Sequence, residues 1–534
     1  MLVKMVHDVQ DGRLILFLGA PDFVAWIQDD MVETLLALGS RLGPLAARGE
    51  AWAFVTRKGH APLHETLIIS RNSSTTDVSP LAFSATLPVF PERACPWYQE
   101  PEWATKAEFC EIYEGYHDFC HCLHPLHLHP STSPHLQLEE VIPVALVTAR
   151  RLQVVARQVE QLWSSPGGGQ TPLAILVDGY NPQAEMLASI LNLTVRFHDN
   201  PVPRGTKHRV NQHIKFSLET IFELYPEVDK AIILEDDLSL APDFIDYFQQ
   251  TSILMSADPT VMCVNAYNYN AFPHTAHDPA RIYRVQTYPY YGWMTSRAHA
   301  RRMLANWAPL DANADWDLYV GHYHVDEHHE VVIPEVPRTR HEGGGGVHVT
   351  GLEQEVAYDR RPLNTHTNVT LNLRRHWQLA YSLDKMAAIK LGTIVNVTKH
   401  PCIEAPVPKY QRNTTHVIYI YHTGDDNKEN AYKVLGKCMG FYHQNSIEHF
   451  RGTFSFKFFE TPVILVSCYS SAYCDEVPRH AIYRPSQEAL TYAKRHPWRQ
   501  SNSTSQITWR IPPAFPIEEF VLQNVVGIEV IINE

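Results

Sequence analysis

Hydrophobic and polar positions change their period twice along this 534-residue chain. Apolar runs at 13–18, 51–56 and 66–70 read as strands, and Val32, Leu35, Leu36 and Leu42 share one helical face between them. That segment predicts part of a small α/β module. Residues 71–137 lose the periodicity and are rich in Ser, Thr, Pro, Cys and His, the pattern of a linker held by disulfides rather than of a second core. From Val141 strands and helices alternate. A strand at 141–147 precedes a helix with Leu152, Val155, Val159 and Leu162 on one face, and Gly167-Gly168-Gly169 makes a flexible turn into a strand at 173–177. A helix burying Ile214, Leu218, Ile221, Phe222 and Tyr225 leads to a strand at 232–234. The β-α-β-α-β order predicts an α/β fold with a mostly parallel sheet and right-handed crossovers.

The last of these strands ends in Glu235-Asp236-Asp237, and Ala241-Pro242-Asp243-Phe244 then reads as a helix start with Pro242 in its first turn. Three carboxylates at the end of a core strand face partial desolvation, which a divalent cation offsets. The plainer alternative is a solvated loop with a capping aspartate. Asp178 closes the neighbouring strand, so two strands deliver acids to the carboxyl edge, where open α/β sheets bind ligands.

A nucleotide-sugar site needs a cation for the diphosphate, a carboxylate for ribose or base, cationic groups and a base for the attacking hydroxyl. Asp237 is the candidate metal ligand, Asp236 suits the ribose, and Asp178 suits uracil or ribose. Arg150 and Arg151 end the first strand, where a guanidinium can stack on a nucleotide. In Asp315-Trp316-Asp317, an extended backbone would set both acids on one face, and one of them is the candidate base. The group His322, His324, Asp326, Glu327, His328 and His329 has metal-binding composition but the mixed spacing of a solvated loop. Gly343 to Gly346 forms a flexible run able to close over a ligand.

Composition narrows the class. A net charge of −13, with no basic block carrying interleaved aromatics, argues against a nucleic-acid partner. Of nine cysteines, Cys95, Cys110, Cys120 and Cys122 cluster, as do Cys402, Cys438, Cys468 and Cys474. Disulfides explain this better than a zinc site with His121 and His124, because ribbon spacing is missing. The histidines His121, His124, His127, His129 and His135 share no face and read as solvated linker residues. Six Asn-x-Ser/Thr sequons, at Asn72, Asn192, Asn368, Asn396, Asn413 and Asn502, agree with a secretory compartment. No targeting signal or membrane span is visible, so the N-terminus is expected to be incomplete.

At the acidic strand, Ile233-Leu234-Glu235-Asp236-Asp237-Leu238 with Ala241-Pro242-Asp243-Phe244 resembles the signature of glycosyltransferase family 13, whose members add β-1,2-linked GlcNAc to mannose. Val177-Asp178-Gly179-Tyr180, Gln212-His213, Ala276-His277-Asp278-Pro279, Tyr283-Arg284-Val285 and Asp315-Trp316-Asp317 resemble the branch acting on O-linked mannose. Trp52-Ala53-Phe54-Val55, Arg57-Lys58-Gly59 and the first cysteine group resemble that branch's stem and linker. The resemblance implies a GT-A fold, UDP-GlcNAc as donor, a mannosylated glycoprotein as acceptor, Mn²⁺, inversion, and a Golgi type II membrane protein whose anchor precedes this sequence. It makes Asp237 the manganese ligand, Arg151, Asp178, His213 and Asp236 nucleotide contacts, and Asp317 the catalytic base. The implied domains are a partial stem of carbohydrate-binding type at 1–92, a linker at 93–137, a nucleotide-sugar domain at 138–360 and an acceptor-side part at 361–534. The alternatives are the same transfer to N-glycan α-1,3-mannose, and a catalytically weak carbohydrate-binding relative.

The acceptor side departs from the family. Pro289-Tyr290-Tyr291-Gly292-Trp293 replaces Pro-Gly-Leu-Gly-Trp, Tyr267-Asn268-Tyr269 replaces Trp-Asn-Asp, and Tyr319-Val320-Gly321 loses an arginine after the base. Cys263 matches a family cysteine whose partner position holds Val332, so that disulfide is expected to be absent.

Overall fold

The computed structural model describes residues 2–10, 12–20, 23–47, 49–59, 61–68, 95–130, 138–309, 315–317, 319–321, 329–342, 354, 358–422, 430–442, 447–469, 471–474 and 477–495. Its backbone divides into two compact units. Residues Met1–His129, Arg150–Arg157 and Asn181–Val195 form the first, and the rest form the second.

In the first unit, helix α1 (Leu2–Asp8) precedes strand β1 (Leu14–Gly19), helix α2 (Asp29–Ala37), and strands β2 (Ala51–Arg57) and β3 (His64–Ile68). The strands pair antiparallel with β2 central. Trp52 and Phe54 of β2 pack with Phe17, Leu35 and Val6. The predicted helical face is only partly used. Leu35 is buried, Leu36 is 48% exposed, and Leu42 lies past the end of a helix only nine residues long.

The cysteine-rich stretch is more than a linker. Helix α3 (Ala104–Ile112) and two disulfides, Cys95–Cys122 and Cys110–Cys120, enclose buried Phe109, Tyr116 and Phe119. Cross-linking lets so short a segment keep a core of its own. His124, His127 and His129 are exposed, as a solvated reading requires. His135 lies outside the described residues.

The second unit is built on an eight-stranded sheet. Strand β4 (Val144–Thr148), helix α4 (Leu152–Ser164), strand β5 (Leu173–Asp178), helix α5 (Pro182–Leu191), strand β6 (Thr194–His198), helix α6 (Lys207–Leu224) and strand β7 (Lys230–Glu235) follow in order, with α5, the first part of α4 and the start of β6 counted in the first unit. The sequence pattern missed α5 and β6, because β6 is half-exposed and carries no long apolar run. Strand β8 (Leu238–Leu240), helix α7 (Phe244–Ala257), strands β9 (Val261–Asn265), β10 (Ile282–Val285) and β11 (Trp293–Ser296), helix α8 (Arg297–Ala305) and strands β12 (Glu330–Pro334) and β13 (Thr339–His341) complete it. The sheet order is β10-β12-β9-β11-β7-β4-β5-β6.

The expected α/β class holds, in a mixed sheet. Strand β4 runs parallel to β5 and β7, whereas β11 is antiparallel to β7 and β9. Pro242 precedes α7 instead of opening it, and Asp243 is the cap residue. Ile214, Leu218, Ile221 and Phe222 of α6 pack on Ala145, Leu176 and Ile233. A second sheet of β14 (Thr393–Ile394), β15 (His416–Ile420), β16 (Thr453–Phe458), β17 (Thr461–Ser467) and β18 (Ile482–Tyr483) follows. Near it lie the disulfides Cys402–Cys438 and Cys468–Cys474. Cys263 is free and buried.

The glycine turn at 167–169 is closely packed, contrary to the flexible reading. A Cβ on Gly168 would stand 1.6 Å from the Leu162 carbonyl oxygen, a backbone atom that cannot step aside alone. Gly168→Ala is expected to cost about 1–3 kcal/mol by overpacking, read as a lowered denaturation midpoint. No helix among the described residues is long and apolar enough to cross a membrane.

Candidate active site

Parallel strands β5, β4 and β7 end on one edge of the sheet, and each end carries a polar group. Asp178 closes β5, Thr148 closes β4, and Asp236-Asp237 follow β7. The Thr148 hydroxyl donates to Asp236 Oδ2 at 2.6 Å, joining the ends of β4 and β7. The Gln158 amide donates to the carbonyls of Glu235 (2.7 Å) and Leu238 (2.9 Å), which holds the turn that presents the two aspartates.

Asp178 and His213 meet on the β5 side. Arg209 Nε donates to Asp178 Oδ2 at 2.6 Å, and His198 Nδ1 lies 3.8 Å from Asp178 Oδ1. His213 Nε2 lies 3.1 Å from the Thr148 carbonyl and 3.2 Å from that of Leu176, so this nitrogen must carry the proton. Its Nδ1, 3.3 Å from His198 Nδ1, is then the acceptor. Burial holds both imidazoles below their ordinary range, so both are neutral near pH 7. Donor atoms of Asp178, His198 and His213 lie within 4.8 Å of one another, a set that could also hold a cation.

Asp237 meets a residue that the sequence did not single out. Strand β13 pairs antiparallel with β8, setting His341 opposite Leu238 and so beside the acids. His341 Nε2 lies 3.2 Å from Asp237 Oδ2. Only the pairing of two three-residue strands carries this information. Asp237 remains about a quarter exposed.

Asp317 sits on a helical turn, and this changes the reading of Asp315-Trp316-Asp317. The Tyr319 amide bonds the Asp315 carbonyl at 3.0 Å, four residues apart, so the two acids point to different sides instead of sharing an extended face. Trp316 fixes the turn. Its ring stacks between Trp293 and Trp307 at 5.6 Å from each, and its amide donates to Asn211 of α6 at 3.0 Å. Trp293 pairs with Ile233 of the acidic strand, so the turn is braced against the strand that carries Asp236 and Asp237. Burial, together with the Asp317 charge, pushes the Tyr288 phenol up.

Tyrosines from separate segments form a packed cluster. Tyr267, Tyr269, Tyr288 and Tyr290 bury their rings with Tyr358, flanked by Tyr291 and Tyr442. Gly321 belongs to the same packing, since a Cβ there would stand 2.5 Å from the Tyr288 Cβ. Glu448 accepts from the Tyr290 hydroxyl, from the Tyr269 amide at 2.7 Å and from Asn270 Nδ2 at 3.2 Å. Burial outweighs these donors, and its carboxyl is pushed up to about 7.

The folded chain thus keeps the Glu448 proton where the unfolded chain has released it. Stability falls as pH rises from the ordinary glutamate range to about 7, and is lowest above that. Glu448→Gln is expected to flatten this fall by on the order of 3 kcal/mol, followed as the melting temperature across that window.

Arg151 belongs to the first unit. Gly343–Gly346, His322, His324, Asp326, Glu327 and His328 lie outside the described residues; His329 is described, ahead of β12.

The segment that carries the strand-end acids resembles known sequences. The sequence model of the GNT-I family matches residues 129–357. This segment is similar to the GNT-I family. The GNT-I segment holds Asp178, His213, Asp236, Asp237, Asp317 and His341. Over 217 residues, 39% of this chain, it is 28% identical to alpha-1,3-mannosyl-glycoprotein 2-beta-N-acetylglucosaminyltransferase of Arabidopsis thaliana. The match takes in 48% of that protein, so the chain spans about half the length of this curated relative. A crystal structure of GalNAc-T7 with UDP, GalNAc and Mn²⁺ covers 38% of this chain and 44% of its own, at 11% identity and a TM-score of 0.29. A likeness that slight carries no argument.

Proposed function

We propose that this chain is an inverting transferase moving GlcNAc from UDP-GlcNAc, in β-1,2 linkage, to a mannose on a glycoprotein, with O-linked mannose as acceptor. The observation that carries the reading is the delivery of Asp178, Asp236 and Asp237 to one sheet edge within a GNT-I segment. Asp178, His213 and Asp236 hold the nucleotide, Asp178 held by Arg209, His213 by the Thr148 and Leu176 carbonyls and Asp236 by the Thr148 hydroxyl. Asp237 would hold Mn²⁺, which when bound supplies positive charge against the diphosphate. Asp317 takes the proton of the attacking mannose hydroxyl, on a turn held rigid by the Trp316 stack.

Four disulfides support an oxidising, luminal setting such as the Golgi. So does the exposure of Asn192, Asn368, Asn396 and Asn413, the four sequon asparagines among the described residues. A membrane anchor ahead of this sequence belongs to the same proposal.

A second acceptor, α-1,3-linked mannose, is favoured by the name of the Arabidopsis relative. The test is UDP release with Mn²⁺, assayed in parallel on an O-mannosyl peptide and a high-mannose N-glycan. Release with the peptide, lost on Asp237→Asn, is expected. Release only with the N-glycan moves the assignment to the second acceptor. UDP-GlcNAc binding with no release on either leaves a carbohydrate-binding relative and overturns the transferase.

A further inference from the structure

His341 and Gln354 form a small polar arrangement around Asp237 whose directions can be read atom by atom. The Gln354 amide nitrogen donates to the His341 carbonyl at 2.6 Å and to Asp359 Oδ1 at 2.6 Å. Both partners are acceptors, so this atom must be the NH₂ group, and the orientation of the amide is fixed. Gln354 Oε1 is then the atom against His341 Nδ1, and it can only accept. His341 Nδ1 therefore carries a proton, and Nε2 faces Asp237 Oδ2, 3.2 Å away.

At that distance either a proton or a cation lies between Nε2 and Oδ2, and a histidine ligand requires the second. Neighbouring ligands of a six-coordinate cation with bonds of about 2.1–2.2 Å stand about 3.0–3.1 Å apart, close to the observed separation. An imidazole whose far N–H is held by a carbonyl-type acceptor is also the usual state of a metal-bound histidine. His341 and Gln354 are buried, so the ring is held in place before any cation arrives.

We propose that His341 Nε2 is a second protein ligand, beside Asp237, for the divalent cation of this site, with Gln354 as the positioning residue that aims it. This rests on the reading of Asp237 as the cation ligand and adds a nitrogen donor to it. A nitrogen donor biases the site towards Mn²⁺ and Co²⁺ over Mg²⁺ and Ca²⁺, which prefer all-oxygen shells.

The test uses the full chain with Mn²⁺ and UDP, read by the electron paramagnetic resonance of free and bound Mn²⁺. Histidine nitrogen coupling to bound Mn²⁺ is expected in the unaltered chain. His341→Ala should remove that coupling and weaken Mn²⁺ binding at least tenfold, and Gln354→Leu should weaken it about tenfold with the coupling retained. The coupling in the unaltered chain needs no variant to fold. Its absence with Mn²⁺ bound overturns the proposal. So does coupling that survives His341→Ala and vanishes on His198→Ala, which would place the cation at the Asp178, His198 and His213 set. Binding lost on Asp237→Asn but untouched by His341→Ala overturns the histidine ligand and leaves the proposed function standing. Binding untouched by Asp237→Asn overturns both.

Discussion

Asp317→Asn is expected to lower kcat for GlcNAc transfer by 10²- to 10⁴-fold, about 3–5 kcal/mol of barrier, while leaving the KM for UDP-GlcNAc nearly unchanged. The amide keeps the size and fit of the side chain but cannot take a proton from the attacking hydroxyl. Because the turn is helical, Asp315 lies on another side of it, and Asp315→Asn should spare transfer. Steady-state rates of UDP release at varied donor and acceptor separate the two variants. Equal losses from both would remove Asp317 from the role of base. A loss expressed only in donor KM would make it a binding group. Trp316, Trp293 and Asn211 hold the turn independently of either carboxylate, so the variants should fold.

The largest expected loss of stability comes from Arg284→Met. Arg284 is fully buried on β10 and bonds Glu330 at 2.6 Å, Asp258 at 2.7 Å, the His376 carbonyl at 2.6 Å and the Thr260 hydroxyl at 2.6 Å. Asp258 also accepts from the Gln378 amide at 2.8 Å, which ties the start of the helix Gln378–Leu391 to the sheet. Burial would raise the Asp258 carboxyl, but Thr260, Gln378 and Arg284 together hold it below its ordinary value. Methionine fills similar volume and leaves Asp258 and Glu330 buried without their cation, at a cost of about 3–5 kcal/mol. Chemical denaturation of both proteins measures it. A depressed carboxyl stabilises the fold above its unfolded pKa, and that stability is lost as pH falls through the folded value. The deficit of the methionine variant should therefore shrink on acidification. A deficit that stays constant with pH would trace the loss to packing instead.

How far the site could be read from sequence follows how locally each part is encoded. Glu235-Asp236-Asp237 stands out because carboxylates directly follow an apolar run, and Asp178 because it ends another. Elements with a clean period are legible: the strand expected at 173–177 matches β5, the one at 141–147 overlaps β4 with a start three residues early, and the apolar faces expected for two helices fall on α4 and α6. Where the period was weak, as in β6, or the run was three residues long, as in β8 and β13, no local signal existed. The disulfide pairs in each cysteine group were likewise open until the fold brought Cys95 to Cys122 and Cys402 to Cys438.

The sequence by itself determined the α/β class, the acidic strand ends and the residues able to carry an acid, a base and a cation. Those features depend on neighbours within a few positions, which hydrophobic period and side-chain chemistry report directly. Only the tertiary structure decided that Asp315 and Asp317 part company on a helical turn. It alone showed that the tyrosines replacing family residues are packed around Glu448, and that His341 comes to Asp237 from about a hundred residues away. Such contacts rest on strand pairing and burial between distant segments, and a one-dimensional pattern holds no record of which strand will lie beside which.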